Sequence, residues 1–546
     1  MKSQLIIIIL AAFFFLPFLG EVHLFDWDEI NFAEASREML LTGEYLRVYI
    51  DFQAFWEKPP FFFWLQALSM KCFGVTEYAA RFPNAICGIL SLLFVFRIGR
   101  RLFSEKFGQL WALVYLGSLL PHFYFKSGII DPWFNLFIFS SLYYFILFIW
   151  QKDQRKDILL IQNKWTYLAI SGLLSGLAIL TKGPVALLII GCCFFVYWCF
   201  QKFRLYISVP QFLGWLFFAS LIPLLWFGVE TIKNGPWFVK TFIAYQYRLF
   251  STPDAGHGGF FGFHFVVLLI GCFPASIFAI RSFFTKSGTA NPIQSDFIRW
   301  MKILFWVVLI LFSIVASKIV HYSSLTYFPL TFLASYVIYQ IASNNMVFNR
   351  WIKIGLASVT ALFAFVFIAT PVLFLQNGIS DFVNDPFAKA NLEADVSWTG
   401  WEMLPGLYLI VLVIYSFYLF RKRLSLHAFQ FFFIGTAIFI SASILFYVKR
   451  VEGYSQRAAI EFLKTKVGED CYVIPAGYKS YAHLFYTKKQ QPVNEKSSDR
   501  HWLTTGDVDK DVYLVAKINK LNIPEGFEEI GRKNGFVFFK RTYLRK

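Results

Sequence analysis

The feature that most constrains the fold of this chain is a series of long apolar blocks. Up to residue 448, blocks of about 17–23 apolar residues alternate with short polar loops, and a helix of that length spans a bilayer. A soluble domain could not cover so much apolar surface, because such domains are about a quarter charged, whereas only 16% of these residues are charged. The sequence therefore predicts a polytopic membrane protein.

We count about thirteen spans, so the expected fold class is an all-α polytopic membrane protein. The first block could be a cleaved signal peptide, but no small-residue cleavage site follows it, and we interpret it as a retained first helix. The predicted spans lie near residues 4–20, 80–97, 107–124, 132–150, 165–181, 184–200, 211–230, 260–280, 303–317, 322–342, 353–375, 402–420 and 428–448.

The loops on the two sides of these spans differ in charge. If the N-terminus lies inside, the loops after the even-numbered spans are short and basic: RIGRRLFSEK, QKDQRKD, QKFR, the segment 281–302, NRWIK and RKR. The opposite loops include two acid-rich segments, 25–60 and 376–401. Because basic loops remain in the cytoplasm, we expect the acid-rich loops outside. An odd number of spans then puts the C-terminus outside as well.

The last hundred residues differ from the rest in being more highly charged and in lacking a spanning block. YSQRAAIEFLKTK predicts a helix, CYVIPA and VYLVAKI predict short strands, and KNG before FVFFK predicts a hairpin turn. We therefore expect two parts. Residues 1–448 form the transmembrane domain, with amphipathic helices in its first outer loop at 21–78, and residues 449–546 form a small α/β domain on the outer face.

Charge and cysteine content exclude some classes of protein. The net charge of +17 comes from Lys and Arg spread through short loops, which is typical of a membrane protein, so no nucleic-acid partner is predicted. The seven cysteines show neither a pairing pattern nor a Cys/His metal spacing. The sequence predicts no cofactor and no metal site, and it leaves the use of a divalent cation open.

Unusual polar residues at the span ends gather on the outer face. Random placement would distribute them over both faces, so their clustering predicts an outward-facing site. They are Asp28, Glu29, Lys58, Asp131, Lys182, Arg248, His257, Lys318, His321 and Tyr322.

Each acid in this set has a simpler interpretation. Asp28 begins a predicted helix that ends at Gly43, so it could be only an N-cap, worth about 1 kcal/mol. Glu29 in the first turn is favoured by the helix dipole. Asp131 stands before a proline, the usual order of a cap and the first helical residue.

The basic and aromatic members also have alternatives. Lys58 stands at the start of the predicted helix PPFFFWLQALSM, where a cation opposes the dipole unless an anion shares the site. It could instead pair with Glu57 or reach lipid headgroups. Lys182 could likewise be a headgroup or packing lysine, and His257 could be a bystander in its glycine-rich loop. Two others could be interfacial anchors: Lys318 and Tyr322.

Several motifs together resemble a known family. DEINFAEASREMLLTGEYL, FWEKPPFFFWL, FGVTEYAARFP, GIIDPWFNLF, LTKGP, YQYRLFSTPDAGHGGFFGF and SKIVHYSSLTYFPL follow one another over about residues 20–340. In this order they resemble bacterial membrane glycosyltransferases of the C superfamily. More narrowly they are similar to the group of the lipid A aminoarabinose transferases and the protein O-mannosyltransferases.

The resemblance implies an enzyme of the inner membrane with its active site and C-terminus in the periplasm. The donor would be a sugar on a polyprenyl phosphate, the acceptor lipid A, a protein or another glycan, and membrane lipids would surround the spans. The implied catalytic residues are Asp28 as general base, Asp131 and Glu29. Lys58, Arg248, Tyr322 and Lys318 would bind the donor phosphate, and His257 and Lys182 are further candidates.

The chain departs from the family at one place. Relatives often carry Arg-Tyr three and four residues after the first acid, where this chain has Asn31 and Phe32. If that arginine contacts phosphate, this chain must use another cation or bind a different donor headgroup.

Three other functions remain open at this point. A metal-dependent oligosaccharyltransferase would carry a WWD-type motif in a large C-terminal domain. A transporter or flippase would bury ionisable residues in mid-span. A non-catalytic protein that binds carrier lipid would keep Lys58 without needing Asp28 and Asp131 in the same cavity.

Overall fold

The apolar blocks of the sequence all contain helices in the computed structural model, which describes residues 2–154, 162–252, 258–285, 291–376, 383–521 and 523–543. The helices up to residue 453 are, in chain order, α1 (Lys2–Phe15), α2 (Asp28–Thr42), α3 (Phe61–Phe73), α4 (Glu77–Leu102), α5 (Glu105–Leu116), α6 (Leu119–Tyr124), α7 (Asp131–Lys152), α8 (Lys164–Lys182), α9 (Val185–Phe200), α10 (Val209–Asn234), α11 (Trp237–Ser251), α12 (Phe263–Gly271), α13 (Ala275–Phe283), α14 (Pro292–Ile314), α15 (Tyr327–Ala342), α16 (Arg350–Leu375), α17 (Pro386–Leu392), α18 (Leu404–Lys422), α19 (Leu426–Ser443) and α20 (Lys449–Gly453).

Nine helical segments among the described residues are long and apolar enough to cross a membrane. A 3-10 helix, Val320–Thr326, extends α15 to a span over Val320–Ala342. A π-helical turn joins α19 to α20, giving a continuous segment Leu426–Gly453 that runs past the expected domain boundary at residue 448. Three shorter apolar helices, α1, α3 and α9, accompany them. The all-α polytopic fold class is thus confirmed, while the count of thirteen spans stays a prediction.

Two predicted spans are each broken into two helices. The block 107–124 divides between α5 and α6, and the block 260–280 divides between α12 and α13. Gly117 lies at the first break, where an added Cβ would come within 2.2 Å of the carbonyl oxygen of Phe433. The second break contains Pro274, and the breaks face each other, since the Leu119 N–H donates to the Phe273 carbonyl (3.0 Å). The N–H group left unpaired by the first break and the carbonyl left unpaired by the second break therefore bond to each other.

The first outer loop forms α2, a two-stranded hairpin and α3. The hairpin pairs β1 (Tyr49–Ile50) with β2 (Gln53–Ala54). The helix α2 begins at Asp28, as expected, and ends before Gly43, which adopts the left-handed conformation (φ 69°) of a helix C-terminus. Residues 29–39 are all buried, because α2 lies between the membrane helices and the C-terminal domain.

The C-terminal domain is a four-stranded sheet with small helices. Its strands β3 (Cys471–Ala476), β4 (Asp511–Lys517), β5 (Glu528–Lys533) and β6 (Phe536–Arg541) stand in the order β3-β4-β6-β5. The β3–β4 pair is parallel and the others are antiparallel, so the predicted strands and the β5–β6 hairpin are confirmed. Three helices complete it: α21 (Arg457–Lys464), α22 (Ala482–Tyr486) and α23 (Arg500–Thr505).

This domain is joined to the segment that precedes α2. The Leu24 N–H donates to the Tyr486 hydroxyl (2.7 Å), and the Gln456 amide donates to the Leu24 carbonyl. Trp27 packs on Tyr481 with the ring centroids 5.2 Å apart. The sheet domain therefore fixes the chain immediately before Asp28.

Candidate active site

A cavity of about 690 Å³ opens where α2, the start of α3, α7, α9 and α11 meet the 3-10 helix Val320–Thr326. It contains most of the polar residues that the sequence singled out, and the rest of its wall is mainly apolar. Polar lining residues include Asp28, Glu29, Glu57, Lys58, Asp131, Lys182, His321 and Tyr322, and apolar ones include Phe134, Val185, Leu188, Ile189, Phe312 and Val315.

Asp28 points into this cavity and does not cap its helix. The N-cap of α2 is Trp27, and that end has no side-chain cap hydrogen bond. An oxygen of the Asp28 carboxylate lies 3.4 Å from Nε2 of His321, and 32% of the side chain is exposed. The cap interpretation of Asp28 is therefore replaced by a contact with a residue that is almost three hundred positions later in the chain.

Asp131 faces the same histidine from the start of α7. Its side chain is 4% exposed, its Oδ1 pairs with the Lys182 ammonium, and its Oδ2 lies 3.8 Å from His321 Nε2. This end of α7 likewise has no side-chain cap bond. Among the described residues, Oδ2 has no hydrogen-bond donor. His321 therefore stands between two carboxylates, of which only Asp131 has a lysine partner.

Lys182 links Asp131 to the aromatic wall. It is the last residue of α8, and its ammonium lies 5.0 Å from the ring centroid of Tyr322 and 5.7 Å from that of Phe134. A cation over a ring face is attracted by the ring quadrupole. Lys182 and Tyr322 thus belong to the cavity rather than to a lipid-facing surface.

Lys58 lies deep in the cavity, just before α3. Its ammonium is 4.9 Å from the ring centroid of Tyr245, whose hydroxyl donates to Glu57 (3.0 Å). Burial lowers the pKa of Lys58, the nearby Lys182 lowers it further, and the carboxylate of Glu57 opposes that change. A ligand anion beside the start of α3 would stabilise the charged form.

Glu29 occupies a different environment. It accepts hydrogen bonds from Arg81 (2.7 and 3.0 Å) and from the N–H groups of Phe25 and Gly128. Burial alone would raise the pKa of Glu29, but Arg81 and these backbone donors outweigh it and lower the pKa. This geometry favours a structural role, in which Glu29 ties α2 to α4 and to the loop before α7, over the catalytic role expected from sequence.

Two of the expected phosphate ligands do not line the cavity in the part of the chain that the structure describes. Lys318 donates to the carbonyls of Phe312, Ser313 and Val315 and so caps the C-terminus of α14. Arg248 lies in the last turn of α11, with its guanidinium 5.1 Å from the centroid of the Tyr245 ring. His257 lies outside the described residues.

Asn31, where relatives often carry arginine, has a local function here. With its amide oriented to satisfy its neighbours, its oxygen accepts from the Trp27 indole (2.9 Å) and its nitrogen donates to the Trp27 carbonyl (3.1 Å). It is buried and cannot bring a positive charge to the cavity. The cations available there are Lys58 and Lys182.

Sequence reasoning gave no role to His321, Glu57 or Tyr245. His321 was visible as an outer-face residue beside Tyr322, but which of two neighbours meets the acids depends on the rotation of the 3-10 helix, which spacing does not fix. Among the described residues, no group of three or more His, Cys, Asp or Glu side chains is placed to hold a metal ion.

The fold described above is shared with solved structures of ArnT. The solved structure of ArnT from Cupriavidus metallidurans bound to undecaprenyl phosphate superposes with a TM-score of 0.77 over 98% of both chains, at 16% identity. Its apo form gives 0.74 over 99% of this chain and 98% of that one, at 17% identity. At such identities the likeness establishes the fold.

Sequence comparisons support the resemblance that the motifs predicted, to the aminoarabinose transferases and the protein mannosyltransferases. Residues 57–227 match the family described as dolichyl-phosphate-mannose-protein mannosyltransferase. The undecaprenyl phosphate-alpha-4-amino-4-deoxy-L-arabinose arabinosyl transferase of Pectobacterium carotovorum is 27% identical over 66% of this chain and 64% of its own length. The second such enzyme of Proteus mirabilis is 28% identical over 50% of this chain and 48% of its own length. The alignments thus span less than two thirds of these relatives.

The chain is a multi-pass inner-membrane protein.

Proposed function

We propose that this protein transfers a sugar from a polyprenyl-phosphate carrier to a glycolipid acceptor of the lipid A type, at the periplasmic face of the inner membrane. The observation that carries the proposal is the convergence of Asp28, Asp131 and His321 with Lys58 and Lys182 in one cavity. The names of the relatives, which are arabinosyl transferases that use undecaprenyl phosphate, support it.

The cavity suits a donor with a lipid tail and a phosphate. Its apolar wall from α9 and the end of α14 provides surface for isoprene units. Lys58 lies before the N-terminus of α3, where the helix dipole and the ammonium both favour an anion. Arg248, in the last turn of α11, contacts the same Tyr245 ring as Lys58 and is near enough to approach the same phosphate.

Asp28 is the better general base of the two acids. Asp131 is neutralised by Lys182, whereas Asp28 is open to the cavity and faces only His321 among its close ionisable partners described here. Asp28 takes the proton of an acceptor hydroxyl as that oxygen attacks the anomeric carbon. The bond from this carbon to the phosphate oxygen breaks, and Lys58 stabilises the charge that develops on the leaving phosphate.

The nature of the acceptor decides how Asp28 acts. An alcohol must lose its proton, and Asp28 then serves as a base. A phosphate acceptor is already an anion, and Asp28 then orients it without taking a proton.

The geometry disfavours the transport and lipid-binding alternatives. Asp131 begins α7 and Lys182 ends α8, so these charges stand at helix ends rather than in mid-span. A protein that only binds carrier lipid needs the cation but not two carboxylates beside it, and here both line the cavity with Lys58.

The test is transfer by purified protein in vesicles that contain an undecaprenyl-phosphate-linked aminoarabinose donor and lipid A. Asp28→Asn and Lys58→Ala should each reduce transfer by at least about 100-fold, the usual size of a general base or charge contribution. Their melting temperatures should stay within about two degrees of wild type, because neither group carries the packing. Glu21→Gln, an exposed acid of the same loop, is the matched control. Near-normal turnover by either active-site variant would contradict the assignment.

A further inference from the structure

A second cavity, of about 430 Å³, lies on the outer side of the first. Its walls come from α17, from α21 and strand β4 of the sheet domain, and from the segment before α2. Residues that face it include Asp26, Phe387, Asn391, Gln456, Tyr478 and Lys517. The mechanism proposed above uses none of them.

The two cavities share a wall at Asp26, which lines both. The next residue, Trp27, is held between the Tyr481 ring (5.2 Å) and the Lys479 ammonium (4.6 Å), and the one after it is the proposed base, Asp28. Two residues of extended chain cover at most about 7 Å. A ligand that contacts Asp26 in the second cavity therefore lies close to the proposed base, Asp28.

The lining of this cavity has the composition of a sugar site. Tyr478 and Phe387 offer ring faces, with the Lys517 ammonium 4.9 and 4.6 Å from their centroids. Asp26, Asn391, Gln456, Lys479 and Lys517 line the same space, where Gln456 donates to the Leu24 carbonyl and Asn391 accepts from the Gly535 N–H. Concave sites of about 300–1,000 Å³ that combine apolar faces with a few placed polar groups are typical of small-ligand binding.

Asp26 has an unusual state for a surface acid. The surrounding protein desolvates its carboxyl and raises its pKa to about 6, although Ser480 and Lys517 act in the opposite direction. Such a group carries a proton part of the time near neutral pH. It can therefore both donate hydrogen bonds to hydroxyl groups and accept hydrogen bonds from them.

We propose that the second cavity binds the sugar headgroup of the acceptor, so that the sheet domain and α17 select what the enzyme glycosylates. This inference rests on the proposed function and names a separate site for the second substrate. The donor lipid binds in the first cavity, whose wall is largely apolar. The polar headgroup of the acceptor binds in the second cavity, which is lined by amide, carboxyl and ammonium groups.

Filling the cavity tests the inference. Ala388 faces it from α17, and Ala388→Trp places an indole in the space. Ala390→Trp puts the same side chain on the same helix outside the lining and is the matched control. In the vesicle assay Ala388→Trp should raise the KM for lipid A at least tenfold and leave the KM for the donor within twofold. Ala390→Trp should change neither. Lys517→Gln, whose side chain is similar in volume, should also raise the KM for lipid A. This variant replaces Ala388→Trp in the test if the indole prevents folding.

A binding measurement separates this inference from the proposed function. The probe is the disaccharide headgroup of lipid A with its acyl chains removed, titrated calorimetrically into the purified protein. It should bind wild type and Asp28→Asn alike, and bind Ala388→Trp or Lys517→Gln at least tenfold more weakly. Equal binding and equal acceptor KM in wild type and a folded cavity variant would overturn the inference. If wild type binds the headgroup but transfers no sugar, the proposed function fails and the site stands.

Discussion

Asp28 and Asp131, the two carboxylates of the candidate active site, differ in their neighbours, and for this reason we propose different roles for them. Asp131 is buried and paired with Lys182, whereas Asp28 is a third exposed and meets His321. The ion pair with Lys182 occupies one oxygen of Asp131, whereas the carboxylate of Asp28 is open to the cavity. The sequence predicted both acids and Lys58 from motif and position. It placed His321 on the outer face without giving it a role, and it did not identify Tyr245, since the roles of both depend on which face of a helix meets the cavity.

Removing the lysine partner should expose this dependence. We expect Lys182→Met to lower the melting temperature, because a buried carboxylate left without its cation costs about 3–5 kcal/mol. It should also reduce transfer, since Asp131 would then compete for His321. Tryptophan fluorescence of the detergent-solubilised protein measures the first effect.

The double variant Lys182→Met/Asp131→Asn provides the control. It removes both charges, so its melting temperature should return toward that of wild type while transfer stays low. A double variant no more stable than Lys182→Met alone would show that Lys182 acts through packing rather than through the ion pair.

At the scale of elements, α2 is joined to the membrane helix α4 by a buried arginine network. Arg81 of α4 donates to both oxygens of Glu29 and to the carbonyls of Leu19, Val22 and His23. It thereby joins three parts of the chain: α4, the end of the first apolar block and the first turn of α2. Glu29 is the residue next to Asp28, so this network sets the position of the proposed base.

We predict that Arg81→Met lowers both stability and activity. The loss of a buried bidentate partner should destabilise by about 3–5 kcal/mol, and transfer should fall because the first turn of α2 is no longer fixed. Arg97→Met, an exposed arginine on the same helix, is the control and should leave both properties unchanged. A wild-type melting temperature for Arg81→Met would contradict the proposed importance of the network.

The sequence predicts the membrane spans and α2 better than it predicts the breaks inside two of the spans. The spans are predicted because apolar length alone identifies them, and α2 because its glycine stop at Gly43 is local. The breaks at residues 117–118 and 272–274 were missed, since both fall inside runs that remain apolar. The break at Gly117 has its cause in the backbone of Phe433, more than three hundred residues away, and local periodicity contains no such information.

For the whole molecule, the arrangement requires the active site and the sheet domain to be on the same side of the membrane, because the domain contacts the segment before α2. The sequence predicted that side to be the outer one from the basic loops of the other face. Mapping these loops by chemical labelling tests that prediction directly.

Two exposed valines are suitable for such labelling. Val493, 99% exposed in the sheet domain, and Val347, 73% exposed between α15 and α16, lie on opposite predicted sides. A membrane-impermeant maleimide should label Val493→Cys in cells with a permeabilised outer membrane. Val347→Cys should react only after the inner membrane is opened. The wild-type protein, which contains seven cysteines, measures the background labelling. The reverse pattern would contradict the predicted orientation.

The contacts of Leu24 and Trp27 with Tyr486 and Tyr481 have a consequence for biogenesis. The loop that holds the proposed base lies before most of the membrane helices in the chain, and the surface that fixes it lies after them. A nascent chain that has inserted its membrane helices but has not yet folded the sheet domain lacks the contacts that order this loop. The proposed transfer should therefore begin only after the sheet domain has folded against the loop.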